Sequence, residues 1–243
     1  MRFLVFSKRC AREILRDPLN LAFGLGFPIV LLLLLSAIQA NIPTDLFKIE
    51  SLAPGVSIFS LSFITLFSAT LISRDRESSF MERLYTTPMK PIEFILGYIL
   101  SILPIAIMEC VVSYLVSMFL GLNFSINILV ALLLTLPIAV LYIALGLLFG
   151  SVLNVKQVGG VCGALLTNLS AWLSGVWFDI SLIGGAFKKI AELLPFYHSV
   201  ELVRAAVIGD FLGALSHLAV PLVYMVLILA LAVMLFLRGM KKE

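Results

Sequence analysis

Residues 73–92, SRDRESSFMERLYTTPMKPI, form a charged stretch that separates two apolar runs and ends in prolines. A helix drawn over residues 73–87 has one apolar face, because four side chains recur at i, i+1, i+4 and i+5: Phe80, Met81, Leu84 and Tyr85. Pro88 disfavours helical geometry at the residue before it and so ends this helix. The pattern predicts a short amphipathic helix outside a bilayer. The alternative is an ordinary solvated loop between two spans.

The composition of the whole chain is that of a polytopic membrane protein. The 243 residues are 61% hydrophobic and 13% charged, and their mean hydropathy is +1.13. About 20 apolar residues are needed to cross the hydrocarbon layer as a helix. Six runs meet this length: residues 21–40, 53–72, 94–120, 126–150, 158–178 and 215–237. We therefore predict an all-α membrane protein with six transmembrane helices and a single domain, residues 1–243.

The positive charges predict the orientation of these spans. With six spans, both termini lie on one side of the membrane. Of the 17 Lys and Arg residues, 13 fall on that side, and the other side holds only Lys48, Lys188, Lys189 and Arg204. We expect the termini and residues 73–92 to be cytoplasmic, and the plasma membrane of a prokaryote to be the location. Because the basic residues cluster at span ends, we expect no nucleic acid partner.

The N-terminal residues 1–20 show a separate amphipathic pattern. At about 100° per residue, the apolar side chains form one arc: Phe3, Leu4, Phe6, Cys10, Ala11, Ile14 and Leu15. The basic side chains form the other: Arg2, Lys8, Arg9, Arg12 and Arg16. This pattern predicts a helix lying flat on the lipid headgroups, with Pro18 turning the chain towards the first span. The alternative is a frayed basic tail.

The predicted external segment, residues 179–214, is half apolar and longer than a simple connection requires. Its pattern indicates two short helices broken at Pro195 that dip into the outer leaflet without crossing it. His198 and Ser199 suggest a hydrolase, but adjacent residues on a helix diverge by about 100° and do not face each other. His217 has no neighbour at metal-ligand spacing, and the three cysteines are not placed to pair. We predict no catalytic residue, disulfide or metal site.

Two predicted spans carry more than apolar side chains. The fifth has a stripe of small and polar residues that allows close helix approach or lines a wet path: Gly160, Ala164, Thr167, Asn168, Ala171 and Ser174. We consider this stripe a candidate pathway or dimer face, although packing alone explains the glycines. Glu109 lies near the middle of the third span, and no span supplies a cation to pair with it. We expect its carboxyl to be protonated and hydrogen-bonded.

The order of these features resembles the ABC-2 type permeases, and the resemblance covers nearly the whole chain. Its most specific parts are the acidic residue, leucine and Thr-Pro that precede the third span, at Glu82, Leu84, Thr87 and Pro88, followed by Gly97. The external segment adds Pro195, His198, Arg204 and Gly209, within LPFYHSVELVRAAVIG. One departure is the pair Ser78 and Ser79, where many relatives have a glycine.

The resemblance implies a membrane subunit of an ATP-driven exporter, with residues 73–92 acting as a coupling helix on a separate ATPase subunit. The implied interface comprises Arg74, Glu77, Phe80, Met81, Glu82, Arg83, Leu84, Tyr85 and Pro88. The chain has no G-x-x-x-x-G-K-[ST] phosphate loop, so the partner would bind ATP and Mg, and this chain would bind no cofactor and be no enzyme. Family members work as pairs, which implies a second copy or a related permease, besides contact with membrane lipid.

The predicted path is apolar and lined by small residues, which suits an amphipathic or lipid-like substrate such as a drug, a lipid-linked molecule or a peptide. Two other functions stay open at this point. One is a proton-coupled secondary transporter that uses Glu109. The less favoured is an intramembrane hydrolase that uses Ser199 with His198 or His217.

Overall fold

A computed structural model describes residues 2–18, 22–43, 47–78 and 91–240. Within these residues the chain is helical apart from short connections, and no strand occurs. The helices before the external segment are α1 (Arg2–Leu15), α2 (Ala22–Gln39, with a π-helical start at Ala22–Gly26), α3 (Ile49–Glu77), α4 (Pro91–Phe119) and α5 (Ile126–Val152). Next comes α6, made of three consecutive segments, Val155–Val158, the π-helical Gly159–Leu166, and Thr167–Leu173. The rest are α7 (Ile180–Ile183), α8 (Gly185–Leu193), α9 (Pro195–Ile208) and α10 (Phe211–Met240).

Five helices among the described residues are long and apolar enough to cross a membrane. They are Ala22–Gln39, Ile49–Glu77, Ile92–Phe119, Ile126–Val152 and Phe211–Arg238. These helices match five of the six predicted spans. The remaining prediction, residues 158–178, falls largely on α6, which is not among the five. Lys156, Gln157 and Asn168 dilute the apolar character of this helix, so the count of six spans stays a prediction.

Helix α3 is the centre of the bundle. In the most apolar 18-residue stretch of α3, 89% of the residues are buried. The corresponding fractions are 28% for α2 and 17% for α10. Its buried serines donate to carbonyls three or four residues earlier in the same helix, as Ser57 does to Pro54 O at 2.8 Å and Ser68 to Ile64 O at 3.0 Å. This internal bonding lets a hydroxyl-rich helix lie in an apolar core without unpaired donors.

Two glycines allow α5 to approach α3 closely. A Cβ on Gly146 would overlap the Ser68 side chain, and a Cβ on Gly150 would lie 2.8 Å from Ala69 O and 2.9 Å from Ile72 Cβ. The spacing Gly-x-x-x-Gly is typical of helices that pack backbone to backbone in membranes. Thr65 joins the same pair of helices, because its hydroxyl donates to Tyr142 O at 2.8 Å.

Helix α1 packs onto the bundle through Phe6, Cys10 and Ile14, which are spaced by four residues and buried. The Phe6 ring meets Phe94 and Tyr98 of α4 edge-on, at centroid distances of 5.6 and 5.0 Å. The predicted amphipathic helix is therefore present. Part of the predicted apolar arc packs against protein, while Leu4 and Leu15 remain exposed.

The segment predicted as a separate helix over residues 73–87 begins differently. Helix α3 runs without a break to Glu77, and its C-cap Ser78 is extended. No Gly or Pro intervenes between Ile72 and Glu77, and these last residues bond to neighbouring elements that support the extra turns. Residues 79–90, which hold the rest of the predicted helix, lie outside the described part of the chain.

Residues 179–214, the segment predicted to be external, contain the two helices expected on either side of Pro195, α8 and α9, preceded by the short α7. Gly209 ends α9 in the left-handed region, with φ of 87°, which favours glycine. Helix α10 begins at Phe211, a turn earlier than the predicted residue 215. Whether α8 and α9 dip into a bilayer stays a prediction.

Candidate functional site

A buried carboxylate at the end of α3 joins three helices. The Asp75 side chain is 2% exposed and lies 2.7 Å from Arg9 Nη1 of α1 through Oδ1 and 2.8 Å through Oδ2. The Tyr98 hydroxyl of α4 donates to Asp75 Oδ2, also at 2.8 Å. Low local polarity strengthens such bonds and makes the loss of either partner costly. Asp75 therefore ties α1 and α4 to the last turn of α3, immediately before residues 79–90.

The side of α1 near Asp75 has a second layer of interactions. Arg9 Nη2 also lies 2.7 Å from Glu13 Oε2, one turn later on α1. Burial raises the pKa of the Glu13 carboxyl, and the Arg9 charge opposes that change. Burial, together with the negative charge of Asp75, raises the pKa of the Cys10 thiol to about 12. We call Arg9, Glu13, Asp75 and Tyr98 the Asp75 cluster.

The charged residues next to Asp75 hold the end of α3 in place. Arg74 lies 3.5 Å from Asp17 after α1, Arg76 Nη1 donates to Gly150 O of α5 at 2.9 Å, and Glu77 Oε1 accepts from Val155 N of α6 at 3.0 Å. Two of the predicted interface residues, Arg74 and Glu77, are thus described and bonded to neighbouring elements. The other predicted interface residues lie outside the described part of the chain: Phe80, Met81, Glu82, Arg83, Leu84, Tyr85 and Pro88.

No pattern in the sequence marks Asp75, Arg9 or Tyr98 as a site. Arg9 belongs to the basic arc predicted for α1, and Asp75 is one charge among several in the 73–92 stretch. The sequence did contain one signal of this site: Asp75 is an acidic residue that continues the helical periodicity of the second predicted span. A helical extension of the second span by one turn places Asp75 at its buried edge.

The predicted stripe on α6 divides between two environments. Thr167, Ala171 and Ser174 are buried, and Thr167 donates to Cys162 O at 2.9 Å. Gly160, Ala164 and Asn168, spaced by four residues, are exposed, and the Asn168 amide donates to Ala164 O at 2.8 Å within the helix. Three apolar side chains are exposed on the same helix: Leu165, Leu169 and Trp172. The exposed α6 face is Gly160, Ala164, Leu165, Asn168, Leu169 and Trp172.

At the opposite end of the bundle, Arg204 of α9 connects three elements. Its guanidinium donates to Ser51 O of α3 at 3.2 Å, to Gly175 O after α6 at 2.9 Å, and to Glu201 at 2.7 Å. A cavity of 620 Å³ opens beside it. The cavity is also lined by Asp179, whose pKa is held below its usual range by hydrogen bonds from Ser181. Of the predicted external residues, Pro195 starts α9 and Gly209 ends it.

His198 and His217, which the sequence analysis did not associate, lie in contact. Their Nδ1 atoms are 2.9 Å apart, and His198 Nε2 lies 2.8 Å from Glu192 O. The bond to a carbonyl requires a proton on His198 Nε2, so in the neutral pair His217 donates through Nδ1. Ser199 is buried and donates to Pro195 O at 2.7 Å rather than to either imidazole. The two histidines link α9 to α10.

Glu109 lies in the middle of α4, with 2% of its surface exposed. Its Oε2 atom has no hydrogen-bond partner within the described residues, so the expected hydrogen bond is not found at this oxygen. The other oxygen, Oε1, faces the backbone of α2 at Gly24, where a Cβ would overlap it. Within the described spans, Lys and Arg occur only towards the helix ends, so no basic side chain lies in the apolar middle of these helices.

The comparison with known proteins assigns the chain to a family. The profile of the ABC-2 type transporters matches residues 1–208, most of the chain and all helices from α1 to α9. No curated protein matches it. The members of this family are membrane permeases of ABC transporters and in general work with an ATPase subunit. With its apolar helices and this match, the chain is a multi-pass membrane permease that belongs to the ABC-2 type transporter family.

Proposed function

We propose that the chain is the permease subunit of an exporter that moves an amphipathic or lipid-like substrate out of a prokaryotic cell. A separate ATPase subunit binds ATP and Mg and contacts residues 73–92, which act as the coupling helix. The permease works as a homodimer or with a related permease, spans the plasma membrane six times, and has both termini in the cytoplasm. This chain is no enzyme and binds no nucleic acid.

The observation that supports this proposal most is the Asp75 cluster. A coupling segment that is displaced by an ATPase must transmit this displacement to the spans through a stiff connection. Residues 79–90 lie between α3 and α4, and the Asp75 cluster joins these two helices. Asp75 belongs to α3 before the stretch, and Tyr98 belongs to α4 after it. Arg9 adds α1 to the same connection. A displacement of residues 79–90 would therefore be transmitted to α1, α3 and α4 together.

In the proposed cycle, closure of the ATPase dimer pushes the coupling helix and tilts α2 and α3 against α6. The two ATPase states bias two arrangements of the permease, because they bind it with different affinity. The small residues on the exposed α6 face allow a second permease copy or the substrate to approach closely. Phe80, Met81, Leu84 and Tyr85 supply the apolar centre of the ATPase contact, and the neighbouring charges supply its polar rim.

The test is co-purification from native membranes of a chain tagged after its C-terminus. We expect an ATPase with a phosphate loop to accompany the native chain and to be lost with Leu84→Asp, which places a charge in the apolar contact. Phe124→Asp is the matched control, because Phe124 is an exposed apolar residue between α4 and α5 and lies outside the proposed contact. Equal recovery of the ATPase with all three chains would contradict the coupling role of this segment.

A second candidate function, proton-coupled transport, is favoured by one observation, the unpartnered Oε2 of Glu109. A carrier that uses this carboxyl should lose uphill transport in Glu109→Gln while facilitated movement down a gradient continues. An ATP-driven permease should keep its dependence on ATP in the same variant.

A further inference from the structure

The Glu109 carboxyl combines three properties that a structural role does not explain. It is buried in the middle of a span, one of its oxygens has no hydrogen-bond partner in the described structure, and no Lys or Arg among the described residues lies in the middle of a span. A buried polar group without a partner destabilises the protein that holds it. Ionisable residues at membrane depth typically mark a substrate or ion path.

The carboxyl is covered by one turn of α2. Ala22–Gly26 is π-helical, and Gly24 within it is buried against Glu109 Oε1 and the ring of Phe67. A Cβ at Gly24 would lie 2.7 Å from Phe67 Cε2, so the backbone itself forms the contact. Turns of π-helix are often found at functional sites, where they interrupt the regular hydrogen-bond ladder. We call residues 22–26 the cover turn.

The helix that carries the cover turn is peripheral. Only 28% of the most apolar window of α2 is buried, and it meets α3 through rings: Phe23 with Phe63 at 6.3 Å, and Phe27 with Phe59 at 6.2 Å and with Phe63 at 5.6 Å. Moving α2 aside breaks these ring contacts and exposes Glu109 next to Phe67, whose ring shares the Gly24 contact with the carboxyl. A carboxyl beside an aromatic ring is a suitable environment for an organic cation.

A hydrogen-bond donor that also carries positive charge would satisfy the unpartnered Oε2 atom of Glu109. In a low-dielectric site an ionised carboxylate is tolerated when it is paired and hydrogen-bonded, and a protonated amine supplies both. A quaternary ammonium would supply charge without a donor. We propose that Glu109 binds the protonated amine of an amphipathic substrate, which reaches the carboxyl when the cover turn moves away. This proposal rests on the exporter function and names the chemical class of its substrate.

The first test measures binding to the permease with its ATPase in lipid nanodiscs. The probes are a dansylated long-chain alkylamine and its N-acetylated, uncharged counterpart. We expect Glu109→Gln to weaken binding of the amine about 10- to 100-fold, the range for a hydrogen bond to a charged group, and to leave the acetylated probe unchanged. Glu50→Gln is the matched control, since Glu50 is an exposed carboxylate in the first turn of α3. Unchanged amine binding, or equal loss of both probes, overturns the proposal.

The second test needs no change at Glu109. A hydrophobic carbodiimide modifies carboxyls at membrane depth, and the modified peptide is identified by mass spectrometry. We expect the alkylamine to protect Glu109 and the acetylated probe to leave it reactive. Gly24→Ala should accelerate modification, because the added Cβ displaces the cover turn from the carboxyl. Gly26→Ala should not, since nothing lies within 4 Å of its Cβ position. Equal protection by both probes, or equal rates in both glycine variants, overturns the proposal.

The two tests distinguish failure of the amine-binding proposal from failure of the proposed exporter function. If no ATPase accompanies the native chain, the exporter function fails, whereas binding of the amine by Glu109 is measured independently. If the ATPase is recovered and the amine does not protect Glu109, the exporter stands and the substrate class is wrong. Uphill uptake that depends on a proton gradient, with no selectivity for the amine, would assign Glu109 to proton transfer and overturn the proposal.

Discussion

At the scale of single residues, Asp75 binds both Arg9 of α1 and Tyr98 of α4 at the α1 end of the bundle. We expect Asp75→Asn to lower the free energy of unfolding by about 1–3 kcal/mol, because a buried charge pair is lost while Arg9 keeps partial access to water. Because the Arg9 side chain is 37% exposed, we expect a smaller loss of unfolding free energy than for a fully buried pair. Thermal unfolding in detergent measures the change. Glu13→Gln, which removes the exposed pair with Arg9, should cost about 0.3–0.5 kcal/mol.

The Cys10 thiol reports whether α1 stays docked. It is inaccessible in the native chain, and its pKa is raised to about 12 by burial and by Asp75. Maleimide labelling of native Cys10 should therefore stay slow from pH 7 to 9, since little thiolate forms below the raised pKa. In Asp75→Asn labelling should be faster and should rise with pH through about 8.5, as for a free thiol. Mass spectrometry of the labelled peptide distinguishes Cys10 from Cys110 and Cys162. Slow labelling in the variant would show that Asp75 does not hold α1.

The residues of the Asp75 cluster show which part of such a site a sequence predicts. The spacing of Phe6, Cys10 and Ile14 predicted one apolar face of α1, but this face was expected to lie on lipid, whereas these three side chains are buried against protein. The pairing of Arg9 with Asp75 depends on α1 folding back across the ends of α3 and α4, a contact 66 residues apart in the chain. Charge patterns along one segment contain no information about such a contact. A single sequence therefore predicts a solvated arginine at this position.

At the scale of helices, the close approach of α3 and α5 depends on Gly150. We expect Gly150→Ala to destabilise the protein by about 1–3 kcal/mol, because its Cβ would lie within 2.9 Å of atoms in α3 and force the helices apart. Gly159→Ala is the control, because it is helical and nothing lies within 4 Å of its Cβ position. Thermal unfolding of both variants in detergent compares them. Equal melting temperatures would show that the two helices accommodate the methyl group.

Arg204 fixes the elements at the other end of the bundle. Its planar guanidinium reaches Ser51 O, Gly175 O and Glu201 at once, and an ammonium on a flexible stem cannot reproduce this geometry. We expect Arg204→Lys to lower the melting temperature, with a loss of about 1–3 kcal/mol. Lys188→Ala should have little effect, because Lys188 forms an exposed pair with Glu192 at 3.7 Å. A larger loss in Lys188→Ala than in Arg204→Lys would contradict the assigned role.

The helices themselves were predictable to within about one turn for four of the five membrane-length helices, since length and apolarity determine a span. The exception is α3, which extends beyond both predicted ends, to Ile49 and Glu77. Charged residues marked the end of the apolar run, but they do not end a helix when neighbours bind them. Helices α8 and α9 were predictable because Pro195 separates two amphipathic patterns.

At the scale of the whole molecule, the exposed surfaces of the spans differ in kind. Helix α10 exposes large apolar side chains such as Val226 and Leu227, as a lipid-facing helix does. The exposed α6 face alternates small and polar residues with large ones, so another helix can approach its backbone there. Every membrane protein exposes apolar side chains to lipid, so apolar character alone does not identify a face that contacts another helix. Small side chains distinguish such a face.

This difference predicts where the proposed second copy of the permease docks. In a chain whose three native cysteines are replaced, we expect Ala164→Cys to form an intermolecular disulfide in native membranes under mild oxidation. The Cα atoms of a disulfide lie about 4.4–6.8 Å apart, a distance that two copies reach only at a close helix crossing. Val226→Cys on α10 is the matched control and should stay monomeric at the same expression level. A dimer through Val226→Cys and none through Ala164→Cys would place the contact on α10. The exposed α6 face would then be left to line the substrate path.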